Sequence, residues 1–183
     1  MYLKKYILKN LKPIDAYSLH VLDSLTPLEI LTLVDEWLTI GIESKSIFEL
    51  YSGDHTNYNN INSLFIQVFE ELNLLKPNQY EASKHTIRII FQKMINNDVE
   101  LEIADNLVYN IESSLECTIF EKKEKNYKGA ILNLEKYMMW NRELSDCIDG
   151  STIFYYTELP RDKACEEIKK EILSEAIEWL KIN

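Results

Sequence analysis

Apolar residues recur along most of this chain at spacings of three and four, the signature of helices with one buried face. Ile30, Leu31, Val34, Trp37 and Leu38 form the first clear stripe, opened by Thr26-Pro27-Leu28-Glu29 and stopped at Gly41. The threonine hydroxyl there can accept the Glu29 N–H while the glutamate reaches back to Thr26, with proline in the first helical position. A similar box, Ser46-Ile47-Phe48-Glu49, predicts a short helix ending near Gly53. Ile61, Leu64, Phe65, Val68, Leu72 and Leu75 make a stripe closed by Pro77. Ser83 is expected to cap a helix with Ile87, Ile90, Phe91, Met94 and Ile95 inward. Ile103, Ala104, Leu107, Val108, Ile111 and Leu115 follow, and then Ala130, Ile131, Leu134, Tyr137 and Met138 in a helix reaching Cys147. Pro160 precedes a last helix with Ile168, Ile172, Leu173, Ala176, Ile177 and Leu180 inward. Seven helices are predicted, with an eighth over residues 14–24.

Two segments break the pattern. Cys117-Thr118-Ile119-Phe120 and Ser151-Thr152-Ile153-Phe154-Tyr155-Tyr156 are β-branched and aromatic, so a minor β element is expected near 117–120 and 151–156. Helix starts near 26, 61 and 99 lie 35–38 residues apart, the spacing of stacked antiparallel hairpins of the HEAT or armadillo kind. The expected fold is therefore all-α, a helical array, with a compact orthogonal bundle as the alternative. Glu36-Trp37-Leu38-Thr39-Ile40 is echoed by Glu178-Trp179-Leu180-Lys181-Ile182. A single domain over 1–183 is expected, with an acidic part over about 13–116 and a near-neutral part over about 127–183.

Charge sharpens that division. Residues 1–12 carry four lysines and no acid, residues 13–116 carry 17 acids and five bases, and residues 117–183 carry 13 acids and 11 bases. The net charge of −10 opposes nucleic acid and anionic membranes and favours basic partners. Only four glycines and four prolines occur among 183 residues, and no glycine-rich phosphate loop is present. The longest apolar runs, such as Tyr137-Met138-Met139-Trp140, fall far short of the roughly 20 residues of a membrane span. Met1-Tyr2-Leu3-Lys4-Lys5 begins no uninterrupted apolar signal, so a cytoplasmic protein is expected. Cys117, Cys147 and Cys165 are odd in number and far apart, and are read as reduced, core-packing thiols.

Catalytic and metal signatures are missing. His20, His55 and His85 lie more than 20 residues apart, and no His-Glu-x-x-His, Gly-x-Ser-x-Gly or Glu-x-x-His arrangement occurs. No cofactor, metal or catalytic residue is therefore assigned. The richest surface candidate is acidic: Asp98, Glu100, Glu102, Asp105, Glu112 and Glu116 sit in a stretch between Lys93 and Lys122 that holds no Lys or Arg. With Ile103, Leu107, Val108 and Ile111 inward, Glu102, Asp105 and Glu112 are expected on the outer side. A second candidate combines Glu43, Tyr51, Asp54 and Tyr58, carboxylates beside tyrosines in a composition that suits a protein interface.

This profile, acidic, motif-poor and helical with the segment 98–116 uncompensated, resembles bacterial immunity proteins of polymorphic toxin systems, such as those of contact-dependent growth inhibition. The resemblance involves no diagnostic motif. It implies a stoichiometric inhibitor, not an enzyme, that binds a basic toxin domain, a nuclease above all, and neither nucleic acid nor membrane. Two other readings stay open: a helical-repeat scaffold or regulatory adaptor, and a metal-dependent hydrolase using scattered carboxylates and His55. On the inhibitor reading, reversing Glu102 and Asp105 to lysine is expected to weaken partner binding in calorimetric titration while leaving the fold intact.

Overall fold

The computed structural model of the chain describes residues 7–53, 58–119, 129–151 and 153–183. Among these, eight α-helices account for the regular structure: α1 (Pro13–Val21), α2 (Pro27–Thr39), α3 (Lys45–Ser52), α4 (Tyr58–Glu71), α5 (Gln79–Ile95), α6 (Leu101–Ile119), α7 (Glu135–Ile148) and α8 (Arg161–Ile182). A 3-10 turn, Ala130–Leu132, precedes α7. The fold is all-α, and the described residues contain no strand. Two compact units, Met1–Thr86 and Ile87–Asn183, divide the chain inside α5.

In the first unit, the starts of α1, α2, α3 and α5 are fixed by side chains. Lys12 N–H donates to Asp15 Oδ2 ahead of Pro13 in α1. The Thr26 box forms as expected: Glu29 N–H donates to Thr26 Oγ1 at 3.4 Å and Thr26 N–H to Glu29 Oε2 at 2.6 Å. The α3 cap is Ser44, which accepts the Ile47 N–H at 3.3 Å, and not the expected Ser46. Ser46 is buried and committed elsewhere, its N–H and hydroxyl donating to Glu71 at 2.9 and 2.8 Å. Those donors, the Ser46 backbone N–H first and the Ser44 side chain next, hold the Glu71 carboxyl below its ordinary pKa. For α5 the cap is Asn78, reciprocally bonded to Glu81 at 3.0 and 2.9 Å, rather than Ser83, which is buried one turn inside the helix.

The first core is aromatic. Tyr17 stacks on Phe69 at 4.0 Å, Trp37 lies parallel to Phe65 at 5.8 Å, and Phe65 meets Phe69 edge-on at 4.6 Å. His20 presents its ring to Phe65, and burial lowers its pKa against the opposing pull of Asp23. The Trp37 indole N–H donates to Leu11 O at 2.8 Å, pinning the segment ahead of α1 to α2.

In the second unit, α7 and α8 form the most extensive helix pair. Val108 and Leu115 of α6, Tyr137, Leu144 and Cys147 of α7, and Ile168, Ile172 and Trp179 of α8 are buried. Phe91 contacts both Tyr137 (4.8 Å) and Trp179 (5.3 Å). The Trp179 indole donates to Leu132 O at 2.8 Å. The two halves of the tryptophan echo thus do the same job, each tying a preceding irregular segment to a helix.

Two expectations are corrected here. Cys117–Ile119 is the last turn of α6, Phe120 and Thr152 lie outside the described residues, and 153–156 is irregular, so the minor β element is absent from what is described. The helical period of α6 carries through Leu115 and outweighs three β-prone residues, while the Tyr155 N–H is spent on Glu143 rather than a ladder. Cys147 and Cys165 are joined in a disulfide with Cα atoms 5.9 Å apart, not held as separate thiols. Packing of α7 on α8 brings residues 18 apart in sequence side by side, which spacing alone does not reveal. The Cys117 side chain lies outside the description.

Replacing Trp37 or Trp179 by Phe keeps an aromatic ring but removes some buried volume together with the donor to a buried carbonyl. Each variant is expected to lose about 1–3 kcal/mol in urea unfolding; parent-like stability in both would contradict the pinning role.

Candidate functional site

The expected acidic face of α6 separates into an exposed edge and a buried row. Asp98, Glu100 and Glu102 are exposed around the start of α6, with Val99 tucked in between them. Glu102 Oε1 meets Lys169 Nζ of α8 at 3.1 Å. Asp98 and Glu100 have no ion-pair partner among the described residues. Their position in the first turn and just ahead of it is also where the helix dipole favours negative charge.

Asp105 and Glu112 are not on the outer side: they are 4% and 0% exposed. Asp105, Val108, Glu112 and Leu115 follow one another at three and four residues, so the two carboxylates lie on the same row as two core positions. Each has a specific donor. The Tyr137 hydroxyl of α7 donates to Asp105 Oδ1, and Gly129 N–H donates to Glu112 Oε1 at 2.6 Å. A third buried carboxylate, Glu143 of α7, accepts the Tyr155 N–H with both oxygens at 2.9 and 3.2 Å. The sequence reading missed Glu143; the signal lay in its place beside Leu144 and one turn before Cys147, on the inward face. These three bonds tie α6 to α7 and anchor the segments before and after α7. Gly129 has φ +93, and a Cβ there would lie 2.7 Å from the Leu134 carbonyl carbon, so the approach to Glu112 requires glycine.

Burial pushes the Asp105 pKa up to about 6, against weaker downward pulls from the Tyr137 hydroxyl and the Asn141 amide, with Glu102 adding to the rise. Burial and the same carboxylate push the Tyr137 phenol well above its ordinary value. An acid–phenol pair with a shifted carboxyl has the composition of a proton-transfer site. Both groups are sealed from solvent, however, so the pair serves as a tie between helices.

The remaining candidates are placed as follows. Glu116 belongs to α6 and Tyr58 opens α4, but neither side chain is described, and Asp54 and His55 lie outside the described residues. Glu43 and Tyr51 are exposed in the first unit, Tyr51 at 60%. His85 Nδ1 lies 3.9 Å from Asp15 Oδ1, a pair that is ionic only when the imidazole is protonated. Among the described residues no three His, Cys, Asp or Glu side chains converge in a way that could hold a metal ion. No described helix is long and apolar enough to cross a membrane. Comparison with family models, curated proteins and solved structures finds no match to this chain.

Asp105 gives a pH test. Its folded-state pKa near 6 lies above the ordinary 3.8, so its stabilising contribution is complete below pH 3.8 and is lost as pH rises through about 6. Asp105→Asn keeps an acceptor for Tyr137 and removes that loss. The variant should gain on the parent by roughly 2 kcal/mol in urea unfolding between pH 4 and pH 7. Parallel stability curves would contradict the assignment.

Proposed function

We propose that this chain is a protein-binding module that holds a basic protein partner through the exposed carboxylates of Asp98, Glu100 and Glu102. In this reading it acts as an immunity protein that neutralises a cognate basic toxin domain, for which a nuclease is the best chemical fit. The observation that carries the reading is the exposed edge itself. It belongs to a stretch between Lys93 and Lys122 without Lys or Arg, and among the described residues only Lys169 pairs with it.

Carboxylates on such an edge would pair with the Lys and Arg that a nuclease uses to hold phosphates, blocking the substrate groove by occupying its cations. A net charge of −10 adds long-range attraction that speeds encounter. Reversing Asp105, as the sequence pattern invited, would place an ammonium in the core and is expected to unfold the second unit; the informative reversals are those on the exposed edge.

The test is recovery of the tagged chain from its host at low and at high salt, alongside the triple variant Asp98→Lys/Glu100→Lys/Glu102→Lys. A near-stoichiometric basic partner, lost at high salt and bound at least about tenfold more weakly by the triple variant, is the expected result. A neutral or acidic partner, salt-insensitive capture, or unchanged affinity of the variant would overturn it.

A further inference from the structure

Helix α7 buries Tyr137, Met138, Leu144 and Cys147 and brings another row to the surface. Glu135, Met139, Arg142 and Asp146 follow one another at three and four residues, so they lie along a line, with the buried Met138 at its base. This line is the floor of a groove of about 620 Å³ in the second unit, flanked by Tyr109 of α6 and Tyr156 of the segment after α7. From Glu135 to Asp146 is 11 residues, about 16 Å along the axis. Tyr109 and Tyr156 are 43% and 53% exposed, and Met139 is half-buried.

We propose that this groove receives an amphipathic helix of a partner protein, with apolar residues against Met138 and Met139 and a Lys or Arg near each end, facing Glu135 and Asp146. Three features carry this. An elongated trough along a helix matches a second helix laid beside it, with anchors at i, i+3, i+4 and i+7. Methionine floors adapt to varied apolar side chains, and tyrosine walls add rigid contact area. The charge decides the sign: Glu135 and Asp146 outnumber the one cation of the lining, Arg142, whose guanidinium carbon already lies 5.8 Å from the Tyr155 ring centroid, and neither carboxylate has an ion pair among the described residues. Both ends of the trough are therefore acidic, and the complementary occupant is basic. The inference rests on the reading of the chain as a protein-binding module, takes the occupant's sign from the groove's own carboxylates, and adds a surface distinct from the α6 edge.

Two labelled 18-residue peptides sharing one leucine face, one carrying lysines and the other glutamates on the polar face, test it by fluorescence anisotropy. The full chain is expected to bind the lysine peptide and not the glutamate peptide. Glu135→Lys/Asp146→Lys should weaken the lysine peptide at least about tenfold and acquire affinity for the glutamate peptide, a gain that a misfolded variant could not show. Met139→Lys should weaken both combinations, and Glu166→Lys, exposed on α8 and outside the groove lining, should leave them unchanged. The proposal is overturned if the parent binds neither peptide or both alike, if the reversed variant keeps the parent's preference, or if Glu166→Lys matches the groove variants. Because the Asp98, Glu100 and Glu102 variants test the α6 edge against the native partner, failure of the groove and failure of the basic-partner reading are read separately.

Discussion

A carboxylate taken out of water has to find a donor, and the second unit is organised around three that do. Asp105, Glu112 and Glu143 lie among core residues and accept from, respectively, the Tyr137 hydroxyl, the Gly129 N–H and the Tyr155 N–H. An unpaired buried charge is costly, so an arrangement that moves the donor and strands the carboxylate is disfavoured. The same bonds hold the segment before α7 against α6 and return the segment after α7 to α7 itself, next to Tyr156 of the groove wall.

The first unit solves the same problem with aromatic geometry. Four rings, Tyr17, Trp37, Phe65 and Phe69, pack against one another, and polar atoms enter the interior mainly as single donors such as the Trp37 indole. Its carboxylates remain at the surface, where Glu71 receives the donors of Ser46. Acidity that looks continuous in the sequence therefore has two physical roles. In the first unit it decorates the outside, and in the second it is split between structure and surface.

Much of this was legible before any coordinates. Apolar periodicity located the helices, and the Thr26 box and Pro160 marked two starts correctly. Where two hydroxyls competed, as with Ser44 and Ser46, the choice depended on Glu71 25 residues away, which no local pattern contains. Asp98, Glu100 and Glu102 were placed correctly at the surface because they precede or flank the first inward turn. Asp105 and Glu112 were misplaced because residue type was allowed to outweigh phase: their spacing to Val108 and Leu115 already put them inward. The disulfide depended on the pairing of α7 with α8, which is a tertiary fact.

The central claim is that the acidic residues of α6 divide into a folding row and a binding edge. Single lysine substitutions at Asp98, Glu100, Glu102, Asp105 and Glu112, each measured for unfolding free energy and for affinity to the recovered partner, test it most directly. The account predicts parent-like stability with weakened binding at the first three positions, and severe loss of stability at Asp105 and Glu112. Parent-like stability at Asp105 and Glu112, or full affinity at all three exposed positions, would contradict it.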